Sequence, residues 1–138
     1  MMRKLDHRGV AALEFCLVAV PLFTLLFAIF DLGRYAITMQ SLRMLANAEA
    51  RANMINCYTP AVIGNTSSPS SCTGDYLSVA QKKAVAPFLY GASLAPTVNT
   101  VTGVTALTVT ASQPGFTMLM PIWGTALNAP SASTSIPF

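Results

Sequence analysis

An apolar run near the N-terminus limits what this chain can fold into. Residues 10–30 carry one charged side chain, Glu14, and residues 15–30 carry none. At about 1.5 Å of rise per residue, a helix of this length spans the ~30 Å hydrocarbon core of a bilayer. A carboxylate in such a segment costs about 2.5–3.5 kcal/mol near the bilayer centre and less toward its edge. Some interaction must offset this cost, so Glu14 is a candidate functional residue.

The basic residues ahead of the run predict its orientation. Arg3, Lys4 and Arg8 precede it with a single acid, Asp6, and they account for most of the formal charge of +3. An excess of Lys and Arg beside a membrane helix marks the cytoplasmic side. We therefore expect the N-terminus in the cytoplasm and everything after Phe30 outside. This local excess does not indicate binding to nucleic acid.

A cleaved secretory signal would also have a basic start and an apolar core. Such a signal ends in a small-residue cleavage site close behind the core. The first Ala-x-Ala patterns here are residues 46–48 and 48–50, well beyond Phe30. We therefore favour a helix that stays in the membrane.

The helical pattern continues beyond the apolar run. Residues 31–56 contain no proline, and apolar side chains recur at steps of three and four, which predicts one buried helix face. This stripe comprises Leu32, Tyr35, Met39, Leu42 and Ala46. Asp31 and Arg34 are three apart and are expected to pair on the helix surface. The chain would thus divide into a cytoplasmic leader (1–9), a transmembrane helix (10–30), its continuation (31–56) and a head (57–138).

The head is predicted to be α+β. A loop is expected over 57–73, and a short helix near Ser78, because Ser78 and Gln81 have capping-box spacing. Strands are expected over 97–102, 104–111 and 116–120, with an edge strand within 131–138. Leu107, Val109 and Ala111 alternate with threonines, which predicts one buried face. The fold class is therefore a long helix packed on a small antiparallel sheet.

The residues outside the membrane predict a disulfide and no enzyme. Cys57 and Cys72 are able to form a disulfide in an oxidising compartment. His7 is the sole histidine and lies in the leader, so neither a catalytic triad nor a zinc site can be assembled. Asp31, Glu49 and Asp75 are scattered and lack paired spacing for acid–base work. We expect no catalytic residue, no metal and no cofactor.

Three further features have competing interpretations. An apolar cluster late in the chain comprises Phe116, Met118, Met120, Ile122 and Trp123. We expect it to be core beneath the sheet, and the alternative is a contact surface, because methionine adapts to varied partners. Cys16 is expected to be a small buried hydrophobe. Lys82 and Lys83 are expected on a solvated helix face.

The N-terminal sequence resembles a known class of membrane protein. A basic leader ending in Gly9, followed by an apolar helix with Glu14 at the fifth position after the glycine, resembles type IV prepilins. Residues 8–34, which begin RGVAALEF and end FDLGR, are similar to the TadE-like minor pseudopilins of the bacterial tight-adherence (Tad, or Flp) pilus system. Cys16 and Asp31 depart from that family, which often has alanine and glutamate at these places.

This resemblance implies a pilin-like fold and a role in assembly. A prepilin peptidase would cut between Gly9 and Val10, leaving the helix in the bacterial inner membrane and the head in the periplasm. The protein would then act in assembly or initiation of Tad/Flp pili for surface adherence. Its partners would be the peptidase, other pilin and pseudopilin subunits, the Tad inner-membrane assembly platform and membrane lipid. Glu14 and Phe15 would serve subunit assembly.

The physical chemistry of the cut site agrees with this interpretation. Cleavage would create an α-amino group on Val10, one helical turn from Glu14 on the same face. The two groups could pair within one chain or between neighbouring helices. Two alternatives remain open: an uncleaved bitopic inner-membrane protein with a periplasmic binding head, and a secreted enzyme or ligand-binding domain on a signal anchor.

Overall fold

Most of the structure is arranged along one helix. The computed structural model describes residues 7–138, so the first six residues of the expected leader lie outside the described part. Helix α1 runs from His7 to Asn53 and therefore begins within the expected leader, three residues before Val10. Pro21 lies inside α1 without ending it, as proline can in membrane helices.

The helix continues where a loop was expected, so the prediction of a loop from Cys57 was wrong. A π-helical turn spans Met54–Tyr58, and α2 follows over Thr59–Gly64. Pro60 lies in the first turn of α2, where its missing N–H is tolerated. The helix ends at Asn65, which adopts a left-handed conformation with φ of 47°.

The predicted short helix is present as α3, Val79–Val85. Ser78 Oγ accepts from the Gln81 N–H, and the Gln81 side chain accepts from the Ser78 N–H. This reciprocal pair is the capping box that the spacing predicted. A 3₁₀-helical segment, Pro87–Ser93, follows α3.

Three antiparallel strands form the sheet in the order β1–β2–β3. They are β1 Thr97–Thr102, β2 Ala106–Ser112 and β3 Ser131–Pro137. The α+β class is confirmed, and β3 is the edge strand expected near the C-terminus. Leu107, Val109 and Ala111 are completely buried, while the intervening threonines are half-buried. The alternation therefore predicted the buried face of the central strand correctly.

β2 lies against α1 and runs antiparallel to it. Leu107, at the start of β2, packs in a cluster with Ala50 and Tyr58, toward the C-terminal end of the helix. Ala111, near the end of β2, packs in a second cluster with Leu42, closer to the membrane segment. The chain that leaves β2 at Ser112 therefore continues toward the membrane segment.

The buried face of α1 is shifted from the predicted stripe. Leu42 and Ala46 are buried as expected, but Leu32 is 40% exposed. The fully or nearly fully buried positions are Asp31, Thr38, Leu42, Leu45, Ala46, Glu49, Ala50 and Asn53. Several of these residues are polar, so a pattern built only from apolar residues could not identify them as part of the buried face.

No strand forms at residues 116–120, so that prediction was wrong. This segment follows the turn Pro114–Gly115 and precedes the 3₁₀ turn Pro121–Trp123. The Phe116 N–H donates to the Gln113 carbonyl at 3.1 Å, and the N–H groups of residues 118–120 bond to side chains instead of to a neighbouring strand. Met118 N–H donates to Asn128 Oδ1 at 2.9 Å, and the next two residues donate to Asp31.

The structure contains the Cys57–Cys72 disulfide. It joins the π-helical turn to the loop that leads into α3, with 5.8 Å between the two Cα atoms. Asn53 Nδ2 reinforces the same junction by donating to the Cys72 carbonyl at 2.7 Å. The loop is therefore fixed to the helix by one covalent bond and one buried hydrogen bond.

Removing this disulfide is expected to lower the free energy of unfolding of the head by about 3 kcal/mol, because closing a loop of this size restricts the unfolded chain. A Cys57→Ala/Cys72→Ala double variant should melt at a lower temperature than the wild type, and reductant should not lower it further. Cys16→Ala is the matched control and should leave the melting temperature unchanged. Equal melting temperatures for the double variant and the wild type would contradict a stabilising role.

Candidate processing and assembly site

The Gly9–Val10 junction lies in the first turns of α1 and is exposed. A Cβ placed on Gly9 would meet no atom within 4 Å. Packing in the described part of the chain therefore does not require glycine here. Glycine inside a helix costs up to about 1 kcal/mol relative to alanine. A requirement for Gly9 would have to come from a molecule that recognises the junction.

Glu14 lies one helical turn beyond Val10 and is also exposed. Among residues 9–138, no hydrogen bond or ion pair involves its carboxylate. Its neighbours Leu13 and Phe15 are 65% and 69% exposed. The charge is therefore directed away from the chain's own core and is available to a group outside it.

The whole segment from Gly9 to Phe30 remains outside the head's core. Every residue in it is exposed or half-exposed, and its mean hydropathy reaches 2.4 in an apolar window with no buried residue. Cys16 is exposed as well, so the expectation that it is buried was wrong for the isolated chain. A helix of this length and composition is compatible with a single membrane span.

Asp31 is the first buried residue after Gly9 along α1, with 1% of its surface exposed. Its carboxylate accepts from the Leu119 and Met120 N–H groups at 3.0 Å each, and Arg34 Nη1 lies 3.3 Å away. The pair with Arg34 was predicted, but its placement on the surface was wrong. Asp31 instead fixes the chain after β2 to the helix where the apolar segment ends.

Arg34 and Phe116 extend this junction by one turn. The Arg34 guanidinium lies 5.3 Å from the centre of the Phe116 ring, within cation–π range. Tyr35 contacts the same ring, with 6.3 Å between the ring centroids. Phe116 is therefore the one member of the predicted apolar cluster that is fully buried.

The other four members of that cluster do not form a core beneath the sheet. Ile122 is 59% exposed, and Met118, Met120 and Trp123 are half-buried. Leu119, which lies between them, is 75% exposed. The expectation of a core was therefore wrong for most of the cluster.

Glu49 is completely buried farther along α1. Its Oε1 accepts from the Tyr76 N–H at 2.6 Å, while its Oε2 has no partner among the described residues. Burial raises the pKa of Glu49 above its ordinary value of 4.5, and the Tyr76 N–H partly opposes the rise. The charge of Asp75 raises this pKa further, and that of Lys82 lowers it.

Lys82 is buried beside this carboxylate, so its expected place on a solvated face was wrong. Its Nζ forms an ion pair with Asp75. Lys83 is exposed, and its Nζ lies 5.5 Å from the centre of the Tyr90 ring. Glu49, Asp75 and Lys82 thus form a polar cluster between α1 and α3.

Glu49→Gln is expected to raise the melting temperature at neutral pH. A raised pKa means that the native state binds this proton more tightly than the unfolded state, so unfolding free energy falls as pH rises above 4.5. Glutamine keeps an acceptor for the Tyr76 N–H and removes the buried charge. Melting curves between about pH 5 and pH 8 should show a smaller decline for the variant.

The control for this effect is Glu49→Ala. Alanine removes the acceptor for the Tyr76 N–H as well as the charge, so the variant should be destabilised across the whole pH range. If Glu49→Gln instead declined with pH as steeply as the wild type, Glu49 would not be the group that titrates.

Comparison with known proteins identifies only the N-terminal part of the chain. Residues 9–51 match the family model described as TadE-like protein. The match thus begins at Gly9, includes Glu14 and Asp31, and ends just before the π-helical turn. Comparisons with curated proteins and with solved structures gave no match. Over residues 9–51 the chain is therefore similar to the TadE-like family, and this similarity points to an association with the Tad pilus.

Proposed function

We propose that this protein is a minor pseudopilin that acts in assembly or initiation of Tad/Flp pili for surface adherence. A prepilin peptidase cuts between Gly9 and Val10, and the mature chain has no active site of its own. The observation that carries the proposal is the TadE-like match, which starts at Gly9 on an apolar helical segment that lies outside the head's core.

The exposure of Glu14 supports an assembly role. After cleavage, the new amine on Val10 is one turn away, close enough to be partly neutralised by Glu14 of the same helix or of a neighbour. In a poorly hydrated environment, such a pair attracts more strongly than it would in water. Glu14 therefore sets the register between adjacent helices, and the exposed Phe15 beside it packs against the neighbouring subunit.

The proposed location is the bacterial inner membrane, with the head in the periplasm. Arg3, Lys4 and Arg8 support a cytoplasmic N-terminus by the positive-inside rule. The Cys57–Cys72 disulfide supports an oxidising compartment for the head. Other pilin subunits and the Tad inner-membrane assembly platform are the proposed partners.

N-terminal sequencing of the protein extracted from its native membrane tests the proposal. A mature chain that begins at Val10 is expected. A chain that begins at Met1 would instead indicate an uncleaved bitopic membrane protein with a binding head. A start near Glu49 would indicate release of the head from a signal anchor, and either of these results would overturn the proposal.

Gly9→Leu is expected to block processing. The peptidase must accept the residue before the cut, whereas the chain's own fold leaves open space at this position. Gly33→Leu is the matched control, because a Cβ at Gly33 also meets no atom within 4 Å. Immunoblotting should show only precursor for Gly9→Leu and mature protein for Gly33→Leu. A mature-sized band from Gly9→Leu would count against cleavage at this junction.

A further inference from the structure

The segment between β2 and β3 has no charged side chain. None occurs anywhere in residues 84–138, and residues 116–123 read FTMLMPIW. We refer to Leu119–Trp123 as the apolar loop. Within it, Leu119 and Ile122 are 75% and 59% exposed, and Trp123 is half-exposed. Large exposed apolar side chains that are contiguous in this way mark a contact surface more often than isolated ones do.

The apolar loop lies at the end of the head nearest the membrane segment. None of residues 9–30 is buried, so within residues 9–53 of α1 the contact with the head's core begins at Asp31. The groups that bury Asp31 include the backbone N–H groups of Leu119 and Met120. The apolar loop is therefore fixed by two hydrogen bonds directly beyond the charge-free residues 15–30 of α1.

The indole N–H of Trp123 lacks a hydrogen-bond partner among the described residues. Its Nε1 is buried but has no acceptor among residues 7–138. Tryptophan is enriched at membrane–water interfaces, because its ring is apolar and its N–H reaches polar groups. The following residue, Gly124, has a φ of 56°, which favours glycine and turns the chain sharply after the ring.

We propose that the apolar loop is a second membrane contact, which lies in the boundary between lipid headgroups and acyl chains beside the transmembrane helix. The proposal rests on the membrane placement of α1 proposed above. Leu119 and Ile122 enter the acyl boundary, and the Trp123 N–H turns to a lipid ester or phosphate oxygen. No charged side chain of the loop has to be dehydrated, and the Asp31 charge is already met by two N–H groups and Arg34.

The occupant is lipid and not a second protein, because the loop continues directly from the membrane-spanning surface. Phe30, the residue before Asp31, is 65% exposed. Phe30 and the apolar loop therefore both lie next to Asp31, and the charged side chain beside them is that of Arg34, which pairs with Asp31. This second contact would restrict the tilt of the head relative to the bilayer.

The single tryptophan of the chain provides a direct test. The full-length protein is reconstituted into phosphatidylcholine/phosphatidylglycerol vesicles, some of which contain lipids with nitroxide quenchers at shallow or deep acyl positions. Trp123 emission should be quenched most strongly by the shallow label and should be protected from acrylamide. The same preparation is floated on a density gradient, which reports insertion of α1 independently of the loop.

A distal tryptophan serves as the matched control. Val104 lies in the β1–β2 hairpin and is 97% exposed. This hairpin lies near Tyr58, roughly 40 Å along the helix from Asp31 at about 1.5 Å per residue. In a Trp123→Phe/Val104→Trp variant, emission should be open to acrylamide and should not respond to the lipid labels.

The outcomes separate this inference from the proposed function. If the protein floats with the vesicles but Trp123 is accessible to acrylamide and unaffected by lipid labels, the loop does not touch lipid. Protection from both quenchers would indicate a protein contact and would also overturn the inference. Failure to float would overturn the membrane placement itself. A folded Leu119→Ser/Ile122→Ser variant that floats should lose most of the shallow quenching.

Discussion

Replacing Glu14 with alanine is expected to abolish incorporation of this chain into pilus assemblies, while cleavage between Gly9 and Val10 remains largely intact. The carboxylate is exposed and has no partner among residues 9–138, so its removal should not disturb the fold of the head. The loss arises when the mature helix meets a neighbour in the membrane. An amine left without its partner in that environment costs about 3–5 kcal/mol.

Two variants at the same position separate charge from shape. Glu14→Gln keeps the size and hydrogen-bonding capacity of the side chain but not its charge, and it should fail as alanine does. Glu14→Asp keeps the charge on a shorter stem and should retain partial assembly. Co-purification with the other pilus subunits measures incorporation, and gel mobility measures cleavage. Normal pili from Glu14→Ala or Glu14→Gln would refute the pairing role.

Local patterns predicted most of the fold correctly. The alternation in β2, the capping box at Ser78 and the pairing of Cys57 with Cys72 each depend on residues close in sequence, and the structure contains all three. The helix continues past its expected end at Asn56, although Pro60 follows in the sequence. Proline is tolerated in the first turn of a helix, and the π-helical turn before it allows the chain to continue.

The polar positions on the buried face of α1 were missed for a different reason. Asp31 and Glu49 are buried because the head supplies partners for them, and those partners lie far away in sequence. Thr38 is buried on the same face, and its hydroxyl donates to the Arg34 carbonyl within the helix. The spacing of the buried positions carried a usable signal. Residues 31, 38 and 45 are separated by steps of seven and so share a face with Leu42 and Ala46. The predicted stripe included none of these three residues, two of which are polar.

For the apolar loop and the residues just before it, the sequence predicted burial that the structure does not contain. A strand was expected over residues 116–120, and the apolar composition of this region predicted a core beneath the sheet. The strand does not form, because the segment pairs with Asp31 and Asn128 instead of with β2 or β3. A sequence pattern cannot reveal that a carboxylate 88 residues away will accept these N–H groups.

Asp31→Ala is expected to detach the apolar loop from α1 and to destabilise the head by about 1–3 kcal/mol for each backbone N–H group that loses its acceptor. The substitution leaves the N–H groups of Leu119 and Met120 without an acceptor. It also leaves Arg34 without its carboxylate. Hydrogen exchange of the Leu119 and Met120 amides in full-length protein should accelerate strongly, and the denaturation midpoint should fall.

Arg34→Gln is the control that isolates the two backbone contacts. The Arg34 side chain is 41% exposed and reaches Asp31 by one 3.3 Å contact, so its pair resembles surface ion pairs worth about 0.2–1 kcal/mol. The variant should keep both amides protected, because Asp31 still accepts from them. If Arg34→Gln loosened the loop as much as Asp31→Ala, the ion pair and not the N–H bonds would hold it. If neither variant changed hydrogen exchange at the Leu119 and Met120 amides, the loop would be held by its own packing. Asp31 would then not be required to hold it.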